Sequence, residues 1–101
     1  MADDKNQVLR VLRVLEALSG YAATGARNAD LAASTGASAS NVTRDLALLI
    51  QQGWARKSDE NGRFYPTPAF ARLSFRVMND FDAAEQQLRD RRANMTGAYK
   101  E

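Results

Sequence analysis

The residues best equipped for chemistry crowd into positions 38–44, where Ser38, Ser40, Asn41, Thr43 and Arg44 stand almost side by side. An arginine can fork onto guanine, an asparagine can pair bidentately with adenine, and serine or threonine hydroxyls can serve a base or a phosphate. Three further cations, Arg27, Lys57 and Arg63, flank this run at a distance. Each suits a phosphate, and Lys57 and Arg63 also suit a minor groove, although Asp59 and Glu60 between them would repel one. Plainer roles remain open for the same side chains. Ser38 and Ser40 can cap a helix, whose N-terminal amides already attract phosphate. Arg27 can be an ordinary solvated residue, and Arg44 can pair with Asp45 or with an acid of the first helix.

Other chemistry is excluded by absence. The 101 residues include no cysteine and no histidine, which removes disulfides, the usual zinc ligand sets, thiolate nucleophiles and imidazole acid/base catalysis. Asp80 and Asp82 lie two apart on a predicted helix and do not face each other. Ser58 beside Lys57 falls on a predicted hairpin, and no glycine pair has the spacing of a phosphate-cradling or dinucleotide-binding loop. Neither catalysis nor a cofactor is expected. The opening residues contain no apolar signal core, and no apolar run approaches membrane-spanning length. A cytoplasmic protein with no membrane partner is therefore expected. The net charge of +2 permits a polyanion partner without demanding one.

These side chains need elements to hold them. With 45% hydrophobic and 26% charged residues, a chain this short is expected to fold as one small helical core, with function on its surface. Residues 5–18 predict a first helix, its apolar face drawn by Val8, Leu12, Leu15 and Leu18 and widened by Val11 and Val14. Ser19-Gly20 stops it, and a loop hinged at Gly25 leads to a short second helix over 28–34. Asn28 can cap that helix, Leu31 and Ala32 face inward, and Gly36 ends it. After the turn at 35–38, a third helix runs to Gln52 with Val42, Leu46, Leu49 and Ile50 inward. That leaves Ser40, Asn41, Arg44, Leu48 and Gln51 outward and Thr43 on the boundary. Runs 54–57 and 63–65 predict two strands around Asp59-Glu60-Asn61-Gly62, the Asn-Gly pair signalling a hairpin, anchored by Trp54 and Phe64. Thr67 and Pro68 then open a long fourth helix.

Helix, short helix, tight turn, helix and two-stranded hairpin is the order of a winged helix-turn-helix, whose third helix enters the DNA major groove. The fold expected is thus mainly α: three helices plus a two-stranded β-hairpin wing, followed by a long C-terminal helix. The residues resemble the DNA-binding domain of the IclR transcription-factor family. The resemblance is carried by Ala29-Asp30-Leu31-Ala32 with Thr35-Gly36, by the run from Ser40 to Leu49, by Gly53-Trp54, and by Asn61-Gly62-Arg63-Phe64-Tyr65 followed by Pro68 and Leu73. It spans residues 7–75 and implies a role for Arg44, which matches a family arginine in that helix. In the family a larger ligand-binding domain follows. This chain has no room for one, so no small-molecule effector is expected here, as in a small stand-alone regulator of the kind phages and mobile elements carry, or in a piece of a longer protein.

The organisation expected is a winged helix-turn-helix over 1–67, a linker or dimerisation helix over 68–95, and a frayed tail over 96–101. Along the long helix Phe70, Val77, Phe81, Ala84, Leu88 and Met95 form a heptad-like seam. Its front half can pack on the first helix. Alternatively Phe70, Val77, Phe81, Ala84 and Leu88 can pair two protomers, placing two recognition helices on half-sites of an inverted repeat. The expectation is a homodimeric, sequence-specific regulator of double-stranded DNA, acting as a repressor. The alternative is a protein-interaction module that recruits a partner through the long helix.

Overall fold

A computed structural model describes residues 6–97. They form helix α1 (Gln7–Leu18), a 3-10 turn (Ser19–Tyr21), α2 (Asn28–Thr35), α3 (Ala39–Gln51), strands β1 (Ala55–Lys57) and β2 (Phe64–Pro66), and α4 (Pro68–Thr96). The chain divides after Phe70 into two compact units. The expected start of the first helix at Lys5 lies outside the described residues, as does the tail beyond Gly97.

The first unit is built around Val14 and Leu18 of α1, Leu31 of α2, and Val42, Leu46 and Leu49 of α3, all buried, with Ala26, Ala37 and Ala55 filling the gaps. Burying each larger side chain is worth about 1.5–3 kcal/mol. Trp54 and Phe64 pack against this cluster from the hairpin, as expected. Trp54 also meets the Phe70 ring edge-on, with centroids 5.7 Å apart.

Several expectations need correction. Val8 and Leu12 do not face the core; they are 69% and 55% exposed and border an open apolar groove with Leu48 and Gln52. The apolar residues of α1 surround much of its circumference, and Arg10, buried against α3, sets which side turns inward. Ile50 is 40% exposed, because the 42, 46, 49 stripe leaves it a full residue step off the buried face. Asn28 is not a cap. Arg27 holds that position, and the Asp30 carboxylate accepts a hydrogen bond from its backbone N–H at 2.9 Å.

The strands are three residues each, antiparallel, in the register Ala55↔Pro66, Arg56↔Tyr65 and Lys57↔Phe64. Their connection, residues 58–63, contains the expected Asp59-Glu60-Asn61-Gly62. It closes with Ser58 N–H donating to the Arg63 carbonyl and Gly62 N–H to the Ser58 carbonyl. Ala26 adds a one-residue bridge to the far edge of β2 through two 2.8 Å hydrogen bonds with Phe64. That approach requires Gly25, whose φ is +78° and where a β-carbon would fall 2.6 Å from the Tyr65 ring and 2.9 Å from Arg63 Cβ.

Thr67 opens α4 as expected: its hydroxyl accepts from Ala69 N–H and donates to the Gly53 carbonyl at 2.6 Å. The helix runs 29 residues, about 43 Å at 1.5 Å per residue, and takes in Thr96, which the expected boundary had placed in the tail. None of its residues is buried. Val77, Phe81 and Leu88 stand open to solvent.

Candidate nucleic-acid interface

The turn between α2 and α3 is fixed by three local devices. Gly36 takes the left-handed conformation, φ +78°, that ends α2. Ser38 caps α3, its hydroxyl accepting from Asn41 N–H at 3.2 Å and lying 3.3 Å from the Ser40 hydroxyl. Asn28 reaches across from α2, donating from one amide nitrogen to the Ala39 carbonyl at 3.0 Å and to the Thr43 hydroxyl at 2.9 Å. Thr43 in turn donates to the Ala39 carbonyl. The two helices, joined by a three-residue turn, are thereby also tied through the first residue of α2 to the start of α3.

A fourth device holds α3 from behind. Asp45 is fully buried, and Arg10 of α1 grips it bidentately, Nε to Oδ2 at 2.7 Å and Nη2 to Oδ1 at 2.9 Å. Two parallel charge-assisted bonds fix direction as well as distance. No buried side-chain nitrogen or oxygen among the described residues lacks a hydrogen-bond partner.

With one side of α3 held this way, Ser40, Thr43, Arg44, Ala47, Leu48 and Gln51 face solvent. Arg44 is exposed and has no hydrogen bond or ion pair among the described residues, so neither Asp45 nor an acid of α1 takes it. Asn41 is half-buried, and Thr43 is more exposed than its expected boundary position. The structure thus brings Ser38, Ser40, Asn41, Thr43 and Arg44 onto the first two turns of one helix. Arg27 is exposed next to Asn28, and hence beside that helix start.

Lys57 and Arg63 stand apart on the hairpin. The Lys57 ammonium lies 5.6 Å from the Phe64 ring centroid, and Arg63 donates to the Thr24 carbonyl at 3.2 Å. Arg56 lies 4.5 Å over the Tyr65 ring, a cation on a π face in a cross-strand pair. Asp59 and Glu60 are exposed at the tip.

Three of these side chains were missed by reading residues singly. Asp45 looks like a surface charge beside Arg44, yet its position three after Val42 and four before Leu49 is an inward one. Arg10 likewise falls four before Val14. Asn28 gave no such signal, since its partners lie eleven and fifteen residues away.

Residues 7–59 match the family model of the IclR helix-turn-helix domain, which is just over half of the chain. The chain belongs to this family. The IclR-type match runs from α1 through β1 into the hairpin loop; β2 and α4 lie beyond it. No match was found among curated proteins. The IclR-type domain is a DNA-binding domain of transcription regulators and not an enzyme family. Among the described residues no cluster of three or more acidic, cysteine or histidine side chains is placed to hold a metal, and no helix is long and apolar enough to cross a membrane.

Proposed function

We propose that this regulator binds an inverted-repeat operator in double-stranded DNA as a homodimer, reads it with α3 in the major groove, and represses by occupying the site. The observation that carries the reading is Arg44: a guanidinium with no partner among the described residues, on the outer face of a helix whose inner face is clamped by a buried ion pair. A free fork on a rigid support suits bidentate recognition of guanine. Asn41 would address an adjacent base, and the Ser38 and Ser40 hydroxyls at the helix start a phosphate. Arg27, Lys57 and Arg63 would hold the backbone on either side. The Arg63 tie to Thr24 favours phosphate contact from the strand over insertion of the acidic tip.

The partner surface in this reading is the α4 seam of Phe70, Val77, Phe81, Ala84 and Leu88. A two-fold dimer would place its recognition helices one helical turn of DNA, roughly 34 Å, or a multiple of it apart. The exposed apolar residues of α4 also support a second reading, a module that recruits another protein. Selection of bound duplexes from a random pool at physiological salt separates the two. An enriched inverted repeat, lost in Arg44→Ala, is the expected result. Enrichment of nothing by a folded protein would refute DNA reading and leave α4 as the working surface.

A further inference from the structure

The seam of α4 continues beyond the apolar residues in one respect that decides its partner's orientation. At steps of four and three it passes Val77, Phe81, Ala84, Leu88, Arg91 and Met95, so an arginine occupies one layer. The charges along the helix are also segregated. Asp80, Asp82 and Glu85 give a block of −3, and Arg89, Asp90, Arg91 and Arg92 give +3 − 1 = +2. Gln86, Arg89 and Asp90 bond to one another along the helix, Arg89 to Gln86 at 2.8 Å and Gln86 to Asp90 at 2.9 Å. These three belong to the side away from the seam.

Two copies of this helix can pair in two directions, and the charges discriminate between them. Parallel and in register, every residue meets its own copy. Arg91 would face Arg91 inside the seam, and each charged block would lie against a block of its own sign, which is unfavourable. Reversed about Gln86, the layers become Val77 with Met95, Phe81 with Arg91, and Ala84 with Leu88, so every layer from 77 to 95 is matched, while Phe70 lies outside the pair and packs on Trp54 of its own protomer. The Arg91 guanidinium then lies against an aromatic ring, with Asp80 and Glu85 of the second copy one residue before that ring and four after it. Acidic block faces basic block along the pair. Small Ala84 opposite large Leu88 is a complementary layer. Glu85 beside its own copy at the axis is a like-charged contact, with Arg89 a turn away, and Asp82 comes level with Asp90 of the second copy, both on the side away from the seam.

We propose that α4 pairs with α4 of a second copy in antiparallel register centred on Gln86. The proposal rests on the homodimer of the proposed function and adds its geometry. Because the chain contains no cysteine, a single cysteine placed at Arg72 or at Gln86, both on the side away from the seam, carries one spin label per protomer of the full chain. Pulsed dipolar distances should be short at Gln86, roughly 20 Å across the helix pair, and long at Arg72, about 42 Å from twice fourteen residues of rise. Short distances at both positions would overturn the antiparallel register while leaving the dimer intact. A monomer in sedimentation at labelling concentration would overturn register and dimer together, and duplex selection with the same protein reports separately on DNA reading. Arg91→Glu supplies a second test. It puts an acid against Phe81 and its three acidic neighbours and should weaken dimerisation roughly tenfold or more, whereas in a parallel pair it exchanges one like-charged contact for another. Unchanged dimer affinity would overturn the proposal.

Discussion

Asp45→Asn tests whether the ion pair behind α3 holds the domain together. The parent carboxylate is fully buried and takes two hydrogen bonds from Arg10, which is itself only 6% exposed. Asparagine keeps the shape but removes the negative charge that the buried guanidinium grips. Removing one partner of such a pair costs about 3–5 kcal/mol, a large part of the ~5–15 kcal/mol available to a whole domain. At roughly 4–8 °C per kcal/mol for a domain of this size, the melting temperature should fall by at least about 12 °C. Arg10→Met with Asp45→Leu removes both charges and fills the same space, and its cost should be within about 1 kcal/mol of zero or reversed in sign. Urea unfolding of the two single variants and the double variant closes the cycle, with an expected coupling above about 2 kcal/mol. A loss under about 1 kcal/mol in Asp45→Asn would refute the reasoning, because it would mean that water reaches the pair.

Arg44→Ala should leave thermal stability within about 0.5 kcal/mol of the parent while costing about 1–3 kcal/mol on the preferred duplex, checked by melting and by titration of that duplex. Gly25→Ala forces a β-carbon into the Tyr65 ring and onto Arg63 Cβ at a φ of +78°; a destabilisation above about 1 kcal/mol is expected in urea unfolding, and a neutral result would mean that the loop moves freely from β2. Lys57→Ala should weaken binding to all duplexes alike and reduce the slope of log affinity against log salt by about 1. An unchanged slope would remove the hairpin from the phosphate-contacting set.

The sequence made the repeating elements legible wherever one residue type has one physical use. Gly36 ends α2 because few other residues take its backbone conformation, Ser38 caps α3, and Thr67 with Pro68 starts α4. The outward placement of Arg44 followed from the spacing of Val42, Leu46 and Leu49. Rotation of α1 was not legible in the same way. Its valines and leucines occupy more than one side, and the choice among sides depends on Arg10, a charge that a reading of apolar residues alone leaves out. The Ala26 bridge to Phe64 escaped for another reason: a single-residue pairing has no alternation to detect, and only contact across nearly forty positions defines it. For the site, residue type named the candidates, but engagement depended on neighbours. Thr43 is tied to Asn28 and Ala39, whereas Arg44 is tied to nothing among the described residues.

Arg44 and Asp45 are consecutive in the chain, and the helical step of about 100° sends one to solvent and the other into the core. This separates what can be altered alone from what cannot. Arg44, Ala47 and Gln51 can be exchanged singly without disturbing the fold, since none bears on the clamp or on the buried leucines. Asp45 is bound to Arg10, 35 residues earlier, so any change there needs a simultaneous change in a different helix. A library built to test the proposed reading by α3 should therefore randomise the outer positions and hold Arg10 and Asp45 constant as one unit.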